Sequence, residues 1–366
     1  MKIGIITFHN TSNFGATLQC AALYRYLISI GHEVVIINYL PDFVIDKKSI
    51  FKELKKVRIN RNMVKALVKG FIYASHRNEL EERDHRFESF INKHISLSIP
   101  YYSINEIFAN PPSADFFICG SDQIWNPVLT GGKLDKAFFL QFTKSKKASY
   151  GASTGELDIE LYERELKELT RDYIGISVRE SSIASRLSRT INRNVEVVLD
   201  CTFLLGQKEY KEMEESTGGI DTPYLLLYNI QKSEKSAEIA KKIAKNKKIS
   251  IIDISPNPLI RSGGEKKIVN IGPGEFLTLF KNAEYVVTNS FHGTVFSIIY
   301  EKPFYSIPHS TRGGRTIDLL KLLGLENRLI LNGDIVTFQE INYTDVNKNL
   351  MLYKKRSYDY LKKILR

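Results

Sequence analysis

Residues 2–39 read KIGIITFHNTSNFGATLQCAALYRYLISIGHEVVIINY, and this stretch decides the fold. It opens with KIGIITF, a short apolar run of strand character, closed by a polar loop carrying Asn10, Ser12, Asn13 and Gly15. ATLQCAALYRYLISIG follows as a helical segment and stops at Gly31, a residue type that ends helices readily. HEVVIINY then repeats the buried-strand pattern. Strand, polar turn, helix and strand within about 40 residues make a βαβ unit, and its two strands run parallel.

The same alternation continues downstream. DFFICGSDQIW is a strand entering a Gly-Ser-Asp turn, ASYGAS a short strand, and YIGISVRE a strand ending at Arg179. A helix at about 181–189 leads into VEVVLD. Around residues 206–222 the chain turns polar and Gly-containing, which marks a domain boundary. A second series then begins: YLLLYNI, a Lys/Ala-rich helix at about 233–246, ISIIDI, a helix at about 274–282 after Gly-Pro-Gly, and YVVTNS running into FHGTVFSIIYE. The expected fold is α/β: two Rossmann-like domains facing a cleft, each a parallel sheet flanked by helices. The first domain spans 1–210 and is rejoined by a C-terminal helix at 349–366; the second spans 220–348.

Composition narrows the function classes. Over 366 residues, 43% apolar and 25% charged content excludes disorder, collagen and coiled coil. Fifty-two basic against 41 acidic residues leave a net charge of +11, which favours an anionic partner. Three cysteines without CxxC spacing read as reduced thiols in a cytosolic protein. The amino terminus is too short an apolar run for a signal peptide, and no run approaches the ~20 apolar residues of a membrane span. Nucleic-acid binding lacks its aromatic platforms and helix motifs. One stretch, 47–77, holds ten Lys/Arg against Glu53 alone, with apolar residues at helical spacing. A basic amphipathic pair of this kind suits either an anionic membrane surface, as a peripheral contact on the inner face of the cytoplasmic membrane, or a packed helix pair with a solvated basic face.

Ligands of open parallel sheets bind beyond the carboxyl ends of the strands. Those ends carry His9 to Gly15, Gly120-Ser121-Asp122-Gln123, Arg179-Glu180 and Asn289 to Thr294. Neither GxGxxG nor GxxxxGK[ST] is present in the first loop. Ser290 is placed to cap a helix whose first turn leaves free N–H groups, with His292 and Thr294 beside them and Gly293 allowing close backbone approach. Arg179 ends an apolar strand, where its guanidinium requires an anion: a ligand, Glu180 or another acid. Arg312 and Arg315 in the Gly-rich HSTRGGRTID read as phosphate ligands or as mobile surface arginines. Asp122 reads as a base or a turn cap, and Trp125 as a sugar platform or a core residue. No cluster has metal-ligand spacing and DxD is absent, so no metal is expected.

At these residues the sequence resembles the polysaccharide pyruvyl transferase family. The matching pieces are GIITFHNTSNFGATLQCAAL, HEVVIINY, FICGSDQIWNP, ASYGAS, SVRE, VLDCT and TNSFHGTVFSIIYEKPF, in the expected order over most of the chain. The family usually shows VLDPT where this chain has Cys201, a change confined to a turn. The resemblance implies a glycosyltransferase-B-like fold with the donor in the interdomain cleft. It also implies transfer of pyruvate from phosphoenolpyruvate, as co-substrate, onto two sugar hydroxyls, with formation of a cyclic ketal and release of phosphate. The residues matching the family's donor site are Arg179 and His292. On this reading His292 is the acid and phosphate ligand, Arg179 a clamp and Asp122 the base. Asn13, Gly15, Gln19, Ser121, Gln123, Trp125, Ser290, Gly293, Thr294, Arg312 and Arg315 contact substrate. The expected acceptor is a galactose- or N-acetylhexosamine-containing oligosaccharide on polyprenyl diphosphate, in capsule or exopolysaccharide synthesis. The competing expectations are a nucleotide-sugar-dependent glycosyltransferase of the same fold and a binding protein without chemistry.

Overall fold

The computed structural model describes residues 1–45, 70–220, 222–260, 266–309, 313–331 and 337–366. Most of the basic stretch 47–77, and Arg312, lie outside the described residues. Strand β1 (Lys2–Ile6), helix α1 (Phe14–Ser29) and strand β2 (Glu33–Ile36) form the βαβ unit. Helix α2 (Arg77–His94) and strands β3 (Phe116–Cys119) and β4 (Lys146–Ser149) follow. Together the strands give a parallel sheet in the order β2-β1-β3-β4. Parallel bridges Ala148↔Gly175 and Ala152↔Val178 carry it on to β5 (Ser177–Val178), helix α3 (Ser181–Ile191) and β6 (Glu196–Val197).

The second sheet is built from β7 (Tyr224–Tyr228), α4 (Glu234–Lys247), β8 (Ser250–Asp253), β9 (Lys266–Lys267) and α5 (Pro273–Asn282). It continues with β10 (Tyr285–Thr288), α6 (Phe291–Ile299), β11 (Phe304–Ser306) and α7 (Gly314–Leu323). Its order is β11-β10-β7-β8-β9, again parallel. Helix α8 (Tyr343–Ile364) begins six residues before the expected 349 and returns to the first sheet, where Tyr360 donates to the Ser149 carbonyl and Leu199 N–H donates to Ser357 Oγ.

Register places the site loops. Ile6 pairs with Cys119, so the loops after β1 and β3 emerge side by side. Thr288 pairs with Tyr228, so the loop after β10 emerges beside Asn229 and Ile230. Beneath these loops an aromatic cluster joins the two sheets. Phe14 of α1 stacks on Phe276 of α5 with ring centroids 4.5 Å apart, and Phe87, Tyr228 and Phe296 complete the cluster. Burying rings of this size is among the larger stabilising contributions available to a core, and here it ties the two sheets together. Helix α2 adds polar ties: Glu82 accepts from Asn270, and Arg86 pairs with Glu275.

Candidate active site

The first wall comes from the loops after β1 and β3. Asn13 caps α1, its Oδ1 accepting from Ala16 N–H at 3.2 Å. Asp122 sits at φ 71°, a left-handed conformation uncommon for a non-glycine residue, and turns its carboxylate back onto the strand ends. Asp122 Oδ1 accepts from Gln123 N–H at 2.8 Å and from Arg179 Nη2 at 3.2 Å.

Arg179 is the centre of this wall, and it is fully committed. Nη1 donates to Asp200 Oδ2 at 2.6 Å, Nη2 to Asp122, and Nε to Glu180 Oε1 at 3.4 Å, with only 1% of the side chain exposed. Three carboxylates, those of Asp200 and Glu180 buried and that of Asp122 at the cleft, meet at one guanidinium whose charge favours their ionised forms. Burial works to raise the Asp200 pKa, but Arg179 and then His292 bring it down to about 2. Asp122 likewise resists its burial through Arg179, His292 and Arg315 and lies below its ordinary value. In Glu180 burial prevails and pushes the carboxyl up.

The second wall comes from α6 and α7. Ser290 caps α6, accepting from Gly293 N–H at 3.4 Å, so the helix begins at the cleft. His292, in the first turn, lies with Nε2 3.9 Å from Asp200 Oδ2 and without a hydrogen-bond partner. Burial lowers its pKa to about 4, Asp200 opposing and Arg179 assisting, so the ring is neutral near pH 7. Its other face rests on α1: a Cβ at Gly15 would lie 2.0 Å from His292 Nδ1. The first turns of α1 and α6 are therefore in contact across the cleft.

Arg315, in the first turn of α7, packs its guanidinium on the Phe291 ring at 5.0 Å, and Arg179 packs on the same ring at 5.2 Å. Arg315 Nε is buried without a partner. Burial and then Arg179 lower its pKa to about 10, which still leaves it charged.

Between the walls lies a cleft of about 530 Å³. Asn13, Asp122, Gln123, Ser290, His292 and Arg315 line it, as do Arg83, Tyr73 and Asn257. Other expected contacts turn inward. Gln19 is fully buried, donating to Thr7 Oγ1, the Phe8 carbonyl and the Ala16 carbonyl and accepting from Cys201. Trp125 is fully buried and stacks on Phe139 at 4.9 Å, a core role rather than a sugar platform. Ser121 donates to the Gly151 carbonyl, and Thr294 bonds Ser290 and Ser306, neither reaching the cleft. Gly293 is required by Thr288, whose Oγ1 would lie 2.2 Å from a Cβ there, rather than by an approaching anion. Arg179 does not line the cleft, because its three carboxylates hold it in the wall.

Sequence reasoning passed over Asp200 and Arg83, whereas Glu180, named there as a possible partner of Arg179, does pair with it. VLDCT displayed Asp200, and a carboxylate ending an apolar strand demands a cation partner, a clue as strong as the one drawn from Arg179. Arg83 had no comparable mark among the many charges of α2. Among the described residues no group of three or more His, Cys, Asp or Glu is arranged to hold a metal ion. Among them, too, no helix is long and apolar enough to cross a membrane.

Two parallel α/β sheets whose strand ends face one another across an anion-ready cleft define a glycosyltransferase-B-like protein. Within that class, the chain belongs to the polysaccharide pyruvyl transferase family, whose model matches residues 13–311, and is a transferase of that kind. Solved structures with a similar fold include two UDP-N-acetylglucosamine 2-epimerases. That of Methanocaldococcus jannaschii is 16% identical with a TM-score of 0.50, covering 96% of this chain and 92% of that one. That of Rickettsia bellii is 11% identical, also at 0.50, covering 99% and 96%. At these identities the likeness is one of fold alone. Comparison with curated proteins gives no match.

Proposed function

We propose that the protein transfers the pyruvyl group of phosphoenolpyruvate onto two hydroxyls of a sugar, forming a cyclic ketal and releasing phosphate. The observation that carries this reading is the second wall. Arg315 with its unpartnered Nε, the unbonded His292 and the start of α6 converge on one cleft, facing a carboxylate that Arg179 keeps ionised. A helix start, an arginine and a histidine suit a phosphate ester.

The donor's phosphate sits against Arg315 and the first-turn N–H groups of α6, with its carboxylate toward Asn13 and Gln123. A dianionic phosphate beside neutral His292 raises the affinity of that ring for a proton. The imidazolium then delivers the proton to C3 of the enol, making it a methyl group and C2 an oxocarbenium-like electrophile. One sugar hydroxyl forms a bond to C2 and gives up its proton. The C2–O bond to phosphate breaks, and the neighbouring hydroxyl closes the ring. Two hydroxyl protons are lost in all; one replaces the proton on C3 and the other leaves with hydrogen phosphate. Asp122, held ionised, is a weak base, and attack on an oxocarbenium centre makes the hydroxyl acidic enough for a weak base to suffice. Arg179 acts by holding Asp122 and Asp200 in place rather than by gripping the donor.

On this reading the two sheets are two domains, 1–210 with 349–366 and 220–348. The acceptor is a galactose or N-acetylhexosamine unit on polyprenyl diphosphate, met at the cytoplasmic leaflet through the basic stretch 47–77. The decisive experiment is calorimetric binding of phosphoenolpyruvate, UDP-sugars and GDP-sugars to wild type and Arg315→Gln. Selective binding of phosphoenolpyruvate, weakened about tenfold or more in the variant, is expected from loss of a charged hydrogen bond. Preference for a nucleotide sugar would make the protein a glycosyltransferase instead.

A further inference from the structure

Arg83 projects from α2 into the cleft, and its surroundings differ from those of the donor wall. Its side chain is 12% exposed. Nη1 donates to the Pro256 carbonyl at 2.7 Å, Nη2 lies 3.7 Å from Asp84 Oδ1, and Nε is buried without a partner. Asp84 is only a partial counter-charge, since its carboxylate is 39% exposed and screened by solvent, and it also accepts a hydrogen bond from Ser12. Burial outweighs Asp84 and Tyr73, so the guanidinium is held below its ordinary pKa, the mark of a cation that its neighbours do not balance. Arg315, by contrast, answers to Arg179, Glu180, Asp122 and Asp200. The cleft thus carries two cationic centres in separate charge environments.

The space around Arg83 also differs in character. Val44, Leu80, Leu129, Pro256 and Pro258 line the cleft together with Tyr73 and Asn257. The total volume, about 530 Å³, is that of a site for a ligand much larger than phosphoenolpyruvate. A phosphoenolpyruvate held at Arg315 and His292 leaves Arg83 and this apolar and aromatic lining to the second substrate.

We propose that Arg83 anchors the acceptor by its phosphate: it binds the diphosphate ester of an activated sugar, whose ring then lies toward Asp122. This rests on the pyruvyl-transfer reading and deepens it by assigning the side chain that meets the acceptor's diphosphate and so favours a sugar diphosphate ester over a free polysaccharide. The chemistry is shared by nucleotide sugars and polyprenyl diphosphate sugars, and the arms of the test separate the two.

The test uses the full chain and two readouts. Calorimetric titration with phosphoenolpyruvate, with UDP-N-acetylglucosamine and with a short-chain prenyl diphosphate N-acetylglucosamine is run on wild type, Arg83→Gln and Arg83→Lys. Phosphate release is then measured with phosphorylated and phosphate-free acceptors. Arg83→Gln is expected to weaken a diphosphate ester about tenfold or more. Phosphoenolpyruvate affinity stays within about twofold of wild type, which also reports an intact fold, and Arg83→Lys recovers part of the loss. Whichever ester binds wild type and loses affinity identifies the source. Equal weakening of phosphoenolpyruvate would overturn the proposal by making Arg83 a donor ligand. Equal loss with phosphate-free acceptors would overturn it by reducing Arg83 to a tie to Pro256. Failure of wild type to bind any diphosphate ester would overturn it as well. Failure of the pyruvyl-transfer reading shows separately, as an absence of phosphate release from phosphoenolpyruvate with every acceptor.

Discussion

The two walls of the cleft hold their charges in opposite ways. On the first, Arg179 meets Asp122, Glu180 and Asp200, and all three of its nitrogens are used. On the second, Arg315 keeps an unpartnered Nε and His292 makes no hydrogen bond through Nε2. Both arginines pack on the same phenylalanine, so environment rather than residue type separates them. A saturated cation holds a wall in shape, whereas an unsaturated one is available to a ligand.

The comparison breaks most visibly at Arg179. Arg179→Ala leaves the buried carboxylates of Asp200 and Glu180, and that of Asp122 at the cleft, without their cation, and a loss of about 3–5 kcal/mol in urea unfolding is expected. Arg315→Gln removes a charge that burial disfavours and should move the urea midpoint little. Equal losses in the two variants would erase the distinction between the walls.

A smaller effect separates His292 by pH. The unfolded chain binds a proton at this ring below about pH 6.5, whereas the folded protein resists it down to about 4. Its contribution to stability is therefore complete above pH 6.5 and is lost as pH falls through that window, up to ~3 kcal/mol. Denaturation at pH 7.5 and 4.5 should show His292→Asn losing less stability between the two than wild type. Parallel losses would place the ring in a solvated site. Asp200, held at about 2, adds a further loss only at lower pH.

The finest test addresses the contact between the walls. Gly15→Ala places a methyl group where His292 Nδ1 now sits, so the ring must shift. A misplacement of about 1 Å in a reacting group can lower kcat/KM ~10²-fold, and steady-state phosphate release checks it. Activity within twofold of wild type would show that the ring position is not set by α1.

These contrasts also mark what the sequence discloses. Strand and helix periods are local, so the βαβ units, their parallel sheets and the loops that meet at the cleft were legible from 2–39 and 285–301. Arg179 and His292 stood out because a charged or titratable residue at the end of an apolar strand needs a reason. Which arginine is free was not legible, since it depends on carboxylates at 122, 180 and 200 converging on one point. Gln19 and Trp125 lie in or beside site loops, yet their side chains turn to the core, a direction that spacing alone does not give. Arg83 is hidden among the ion pairs of its own helix, such as Arg77 with Glu81 and Arg86 with Glu82.

The contact between the first turns of α1 and α6 has a thermodynamic side. Each helix start carries roughly half a positive charge from its aligned peptide dipoles. Two such ends held against each other, beside a cationic Arg315, repel. Asp200 and Asp122 offset part of that repulsion. A bound anion would offset more of it, so part of its affinity would come from relieving like charges that the fold holds together. Inorganic phosphate alone should then raise the melting temperature, and an acidic side chain introduced between the two helix starts should make a sturdier protein that binds its donor poorly.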